Sequence, residues 1–194
     1  VYTQHGPTHL AEQYPGGAHQ VVAVSQEVQQ VLARRQIESE VITNGVDMRR
    51  FHPSNQEPTT DVLNLCKGRR GRDMIETACS RLGLSYKTVH YKDNPEFDVA
   101  PWIRQARYVV GYGRCVLEAL ASGKQALIFD ARGDHPPTGA GWATQENIDD
   151  LQTTNLNGRN DPIHFTPMLL EEILYEHPAA GAWQRAWASQ NADI

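Results

Sequence analysis

The stretch that decides the fold is Gly111-Tyr112-Gly113-Arg114-Cys115-Val116-Leu117-Glu118-Ala119-Leu120-Ala121-Ser122-Gly123. It follows the short apolar run Tyr108-Val109-Val110, so a strand runs into a Gly-x-Gly turn and opens directly into a helix, which Gly123 ends. Glycines at such a turn let the backbone approach a ligand, and the free N–H groups of the first helical turn favour an anion. Arg114 sharpens that expectation. A cation in the first turn opposes the helix dipole and is tolerated chiefly beside an anion or a carboxylate. Glu118 lies one turn further along the same face, while Val116, Ala119 and Leu120 take the buried face. The same residues also fit a surface Arg114–Glu118 pair worth well under about 1 kcal/mol, and a Gly-x-Gly by itself is a weak signal.

Strand and helix signals alternate on both sides of this segment. Gln20 to Val24 is a short β-branched run, Ser25 is a good helix N-cap, and Val28, Val31 and Leu32 recur at helical spacing. Glu40 to Thr43 is a second short strand, closed by the turn dipeptide Asn44-Gly45. His52 to Thr60, with two prolines, reads as a linker at a domain boundary. Asp61 to Cys66 is a strand, and Lys67 to Arg72 a basic, glycine-containing loop. A helix then places Met74, Ile75, Ala78 and Leu82 on one face before Gly83 stops it. Tyr86 to Tyr91 is a strand, Pro101 to Gln105 a helical turn, and Gln125 to Asp130 another strand. Gly133 to Gly141 reads as a flexible loop. Thr166 caps a helix with Pro167 in its first position, and Leu170, Ile173, Leu174 and His177 line one face. Trp183 and Trp187, four apart, form a stripe that should dock on something. Strands alternating with helices of this length make βαβ units, hence an α/β fold with a parallel sheet and flanking helices.

Bulk properties set limits. The chain has 194 residues, 40% hydrophobic and 21% charged, as a globular protein has. A net charge of −5 argues against a nucleic-acid groove, which would want a basic stripe. No apolar run approaches the roughly 20 residues of a membrane span. Cys66, Cys79 and Cys115 are odd in number, lack C-x-x-C spacing and read as buried free thiols of a reducing, cytoplasmic setting. The chain opens on Val1 with no initiator methionine or leader pattern, and truncation is the expected reading.

The motifs together resemble a known family. Gly-Tyr-Gly-Arg-x-x-x-Glu-Ala-x-Ala-x-Gly, then a strand ending in Asp130, looks like the second half of the E-x7-E signature of retaining family-four glycosyltransferases. Val21-Val22-Ala23-Val24-Ser25 and Asn44-Gly45-Val46-Asp47, with Phe51 and Pro53, resemble that family's inter-domain crossover. Thr3-Gln4-His5-Gly6 looks like its T-x-H segment. The resemblance runs from about residue 1 to 133, in the right order. It implies the C-terminal half of a GT-B fold: a Rossmann-like domain over 45–165 that binds a nucleoside-diphosphate sugar such as a UDP- or GDP-sugar. Residues 1–44 would be a remnant of the acceptor-side domain and 166–194 C-terminal helices that cross back to it. Glu118 would hold the ribose, and the backbone of Gly111, Tyr112, Gly113, Arg114, Cys115 and Val116 the diphosphate. No metal or other cofactor is implied, because cationic side chains and the helix terminus offset the phosphate charge.

Two departures accompany it. The first glutamate of the pair would fall at 110, which is Val110; in the family that carboxylate meets the donor sugar or the reacting centre, so the usual donor contact is not implied here. The family's Arg-then-Lys pair is reordered, with Lys67, Arg69 and Arg72 supplying the charge; they contact phosphate or form a solvated basic loop. The loop follows a strand's carboxyl end, where open α/β sheets place ligands. His5 would sit under the donor sugar by the resemblance, or is a polar loop histidine. His5 and His9 lack the further ligands a metal needs, and the remaining histidines form no constellation.

The expected activity is sugar transfer from a nucleotide donor to an unknown acceptor. The alternatives are a non-catalytic nucleotide- or sugar-binding module and a GT-B nucleotide-sugar epimerase. Residues 1–44 offer at most one βαβ unit, so this chain alone is expected to lack transfer. Unpaired strand edges and the tryptophan stripe make a homo-oligomer an expectation as well.

Overall fold

Val62-Leu63, Tyr108-Val109-Val110 and Ala126-Leu127-Ile128-Phe129 are apolar at successive positions rather than alternate ones. A strand tolerates that only where both its faces are covered. The computed structural model describes residues 1–4, 17–90, 98–132 and 136–194, and such a sheet lies at its centre. In chain order the elements are β1 (Tyr2–Gln4), β2 (Val21–Ala23), α1 (Gln26–Ala33), β3 (Glu40–Val41), β4 (Thr60–Asn64), α2 (Arg69–Leu82), β5 (Tyr86–Thr88) and α3 (Ala100–Gln105). They continue with β6 (Ala106–Gly111), α4 (Arg114–Ala121), β7 (Gln125–Asp130), β8 (Thr138–Trp142), α5 (Ile148–Thr153), β9 (Ile163–His164), α6 (Pro167–Tyr175) and α7 (Trp183–Asn191).

The larger sheet has six strands in the order β5-β4-β6-β7-β8-β9. Its first four strands are parallel, with Leu63 opposite Val109 and Val109 opposite Ala126, while β8 and β9 are antiparallel. Alternate side chains divide the core. Leu63, Val109 and Ile128 point to Ile103, Val116, Leu120, Ile148 and Trp187 on one face. Val62, Tyr108, Val110, Leu127 and Phe129 point to Ile75, Cys79, Leu170 and Leu174 on the other. Each Leu, Ile or Phe so buried contributes about 1.5–3 kcal/mol of transfer free energy. This is the mixed α/β, mostly parallel and helix-flanked sheet that the alternation of signals predicts, a Rossmann-like architecture.

Because β4 is flanked by β5 on one side and β6 on the other, the chain reverses its direction of winding between β4 and β6. Their carboxyl ends border a crevice, the place where open α/β sheets bind ligands. The Gly-x-Gly turn and the basic segment both leave the sheet at that point.

Residues 1–44 supply a second sheet, β1-β2-β3, wholly parallel. Ser25 caps α1, its Oγ accepting from Val28 N at 3.3 Å. Val28 and Leu32 close the apolar cluster under this sheet with Val21, Ala23 and Val24. Past the crossover, Val46, Met48 and Phe51 are already buried in the larger core, so the proline-containing stretch from His52 to Thr60 lies inside the larger unit rather than between units.

Three local readings need correction. Thr138 to Gly141, within the expected loop, belong to strand β8, which runs on to Trp142. Its glycines hid it: β8 runs so close to β7 that a Cβ on Gly139 would overlap the Ile128 carbonyl, and the register shifts between Ile128 and Phe129. Residues 133–135 of that loop lie outside the described residues. Secondly, the basic loop is shorter than expected, because Gly68 is the N-cap of α2 and Arg69, Arg70 and Arg72 are helical. Thirdly, α6 ends at Tyr175, so His177 lies beyond it, though its ring still stacks on Tyr108 at 4.6 Å. The tryptophan stripe docks as expected, and its partner lies within the chain. Helix α7 packs on α4, Trp187 is 9% exposed, and its Nε1 donates to Asp149 Oδ1 at 2.6 Å. Gln184 donates to Gln125 and Arg185 to the carbonyls of Met48, Phe51 and Ala121. The chain then ends against the crossover, where Val46 N donates to Ala192 O.

Candidate functional site

The crevice is built by three turns at the carboxyl ends of β4, β6 and β7. At β4, Asn64 is fully buried and sets the turn: its Oδ1 accepts from Cys66 N at 3.1 Å and its Nδ2 reaches Arg72 O and Thr88 Oγ1. Lys67 follows, exposed, and its carbonyl takes the Arg72 guanidinium at 3.3 Å and His90 Nε2 at 3.1 Å. Gly68 then opens α2 with neither a side-chain cap nor an acidic residue in the first turn. Three arginines occupy that turn instead. The dipole and their charge act in the same direction, and both favour an anion beside Gly68.

At β6, Gly113 stands at φ 66, ψ −130, a conformation open in practice only to glycine. It is the N-cap of α4, again without a side-chain cap and without an acidic residue in the first turn. Not every N–H of this turn is available. Gly113 N donates to Leu156 O at 3.0 Å and Val116 N to Gly113 O at 3.0 Å. The N–H groups of Arg114 and Cys115, at the first two positions of α4, donate to no backbone carbonyl among the described residues. An anion at this terminus therefore meets two backbone donors, fewer than the whole run from Gly111 to Val116. Gly111 is needed for a different reason: a Cβ there would stand 2.5 Å from Cys115 Sγ. Cys115 itself donates Sγ–H to Tyr112 O at 3.2 Å, and burial pushes its pKa up to about 12. Burial likewise holds Cys66 well above its ordinary value. Both thiols stay protonated, so neither is a nucleophile.

Tyr112 lies between two cations. The Arg132 guanidinium is 4.0 Å and Lys67 Nζ 5.6 Å from its ring centroid, distances at which a cation is attracted to the ring face. Arg132 is also bound by both oxygens of Asp130, at 2.7–3.2 Å, so this pair is neutral as it stands. The Tyr112 hydroxyl is buried with no hydrogen-bond partner among the described residues, and burial raises its pKa.

Glu118 occupies the exit of the turn. Its side chain is 12% exposed and its Oε1 accepts from Arg114 Nε at 3.1 Å. Burial raises its pKa, and Arg114, then Arg50, pull in the opposite direction. Arg50 comes from the crossover and is itself held to Asp98 at 3.0 Å.

The structure thus brings Lys67, Gly111, Tyr112, Gly113, Arg114, Cys115, Val116 and Glu118 to one end of the sheet. Arg72 reaches back to the Lys67 carbonyl. Arg69 turns away from the crevice, 87% exposed and 3.7 Å from Asp73, into a groove of about 470 Å³ between α2 and α6. Val110 is fully buried on the α2 and α6 face, where a carboxylate would have no water. His5 lies outside the described residues. Sequence reasoning missed Arg132, although it stands two residues after the noted Asp130. It also missed Leu156, since leucine carries no turn signal.

Open depressions of about 700 and 610 Å³ flank the turn between α1 and β3, the second lined in part by His19, Glu38, Ser39 and Glu40. Among the described residues no three His, Cys, Asp or Glu side chains are grouped to hold a metal, and no helix is long and apolar enough to cross a membrane. No protein-family model matches the chain, and no curated protein matches it significantly.

Proposed function

We propose that the chain is the donor-binding portion of a glycosyltransferase that takes a nucleoside-diphosphate sugar and passes its sugar to an acceptor. The observation that carries this reading is the pair of uncapped helix N-termini, α2 and α4, opening at the switch point of a parallel sheet with cations instead of carboxylates in their first turns. Such an arrangement favours a bound anion, although at α4 the Glu118 carboxylate, 3.1 Å from Arg114 Nε, already offsets part of the charge. In this reading the diphosphate accepts from the N–H groups of Arg114 and Cys115. Lys67 and Arg114 offset its charge, so no metal is required. Glu118, one turn on, accepts from the ribose hydroxyls. The order of motifs shared with the retaining family-four enzymes supplies the sugar part of the proposal, and a cytoplasmic setting goes with it.

Val110 favours a second reading. A buried valine in place of the sugar-contacting glutamate fits a module that binds a nucleotide sugar without turning it over. A product assay with UDP- and GDP-sugars and a panel of acceptor glycosides separates the cases. Free nucleotide together with a new glycoside supports transfer. An epimerised donor moves the reading to an epimerase, and donor bound but unchanged moves it to the binding module.

A further inference from the structure

The segment Asn155-Leu156-Asn157-Gly158-Arg159 touches three parts of the molecule at once. Its first contact is the anion-binding turn, where Leu156 O accepts the Gly113 N–H. To aim that carbonyl, the chain passes through two consecutive left-handed residues, Asn155 at φ 55 and Leu156 at φ 56. Leucine does not adopt this conformation of its own accord, so neighbours must hold it. Leu156 is buried in the larger core and its N–H donates to Leu151 O at 2.8 Å. The second contact is the crossover: Asn44 Nδ2 donates to Asn155 Oδ1 at 2.8 Å. The third is the smaller sheet's helix. Glu27, in the first turn of α1, accepts from Asn157 Nδ2 at 3.2 Å through one oxygen and pairs with Arg159 at 3.2 Å through the other. Asn157 Oδ1 meanwhile accepts Arg159 N, which locks the two partners of Glu27 to each other.

We propose that Glu27 is a positioning residue for the anion-binding turn. By gripping Asn157 and Arg159 it fixes the strained segment that orients Gly113, so that the seating of the smaller sheet on the larger unit sets the geometry of the α4 N-terminus. The ligand effect rests on the donor-site reading above; the mechanical coupling does not. Among the described residues the Glu27 carboxylate makes no other side-chain bond, and Ser25 remains as the cap, so its removal leaves α1 capped.

Native-state hydrogen exchange and calorimetric titration with UDP, GDP and ADP test this on the whole chain, as parent, Glu27→Gln and Glu27→Ala. In Glu27→Ala the Gly113 and Leu156 amides should exchange about tenfold faster, with the amides of β4, β6 and β7 unchanged. Affinity for whichever nucleotide binds should fall about three- to tenfold, with Glu27→Gln between the two. Arg159→Ala, on the other side of the same contact, should reproduce the effect and serves if Glu27→Ala folds poorly. Unchanged exchange at Gly113 and Leu156 overturns the proposal, as does an equal acceleration throughout the sheet, which would mean general destabilisation. If no nucleotide binds the parent, the donor-site reading fails and the exchange rates alone decide the coupling.

Discussion

Replacing Glu118 by Gln separates two things that a half-buried carboxylate can do at the mouth of the crevice. Its side chain is 12% exposed, and burial raises its pKa above the value it has in the unfolded chain. A carboxyl with a raised folded pKa favours the folded state most at low pH, and that contribution is lost as pH rises through the folded pKa. At neutral pH the native protein therefore carries a charge it would hold more easily unfolded. The partner that offsets this, Arg114, is 65% exposed, and a pair of that kind on one helix face is worth only a few tenths of a kcal/mol. Glu118→Gln should then change stability by no more than about 0.5 kcal/mol at pH 7, and the balance should shift further in the variant's favour between about pH 4 and pH 7. Binding should respond quite differently. A carboxylate accepting from two ribose hydroxyls loses about 1–3 kcal/mol when its charge is removed, a five- to hundredfold drop in affinity. Urea denaturation at both pH values and calorimetry at pH 7 measure the two effects side by side. A stability loss above about 1 kcal/mol with nucleotide affinity unchanged would refute the reasoning and leave Glu118 as a structural partner of Arg114.

Three other substitutions follow from the geometry. Val110→Glu, which would complete the E-x7-E pattern of the family the sequence resembles, should destabilise the protein by more than about 3 kcal/mol rather than create a donor contact, because the position is fully buried among apolar side chains; a chain of parent stability in a urea melt would contradict this. Gly113→Ala should cost about 1–3 kcal/mol and weaken nucleotide binding, since alanine at φ 66, ψ −130 is strained; calorimetry indistinguishable from the parent would count against the turn as the binding element. Arg185→Ala should cost about 2–4 kcal/mol in the same melts by leaving the carbonyls of Met48, Phe51 and Ala121 unpaired, whereas a loss below about 0.5 kcal/mol would mean that α7 docks through its tryptophans alone.

The sheet of the larger unit was legible because its strands are buried on both faces and so read as unbroken apolar runs, and because Gly83 and Gly123 end their helices where glycine signals an end. Strand β8 was not legible. Thr138-Gly139-Ala140-Gly141-Trp142 has no β-branched core residue, and its glycines, required by the close approach to β7, look like those of a loop. The start of α2 was missed for a related reason: arginines that read as a charged loop are also good helix formers once Gly68 supplies the cap. At the site, the turn from Gly111 to Glu118 could be read in one stretch because its residues are neighbours in sequence. The contributions of Leu156, Arg132 and Glu27 come from separate elements, and only the tertiary fold brings them to it. The docking of Trp187 could be expected in kind, since a tryptophan stripe needs a partner, but no pattern in α7 points to α4.

The central claim is that the crevice between β4 and β6 binds the diphosphate of a nucleotide. Isothermal titration of the parent chain with UDP, GDP and ADP in metal-free buffer tests it most directly. The account predicts one-to-one binding of at least one of the three below about 1 mM, corresponding to some 4 kcal/mol or more. It also predicts that this binding weakens in Gly113→Ala. If none of the three binds at millimolar concentration, Gly111 to Glu118 is a structural strand-to-helix turn and the claim is contradicted.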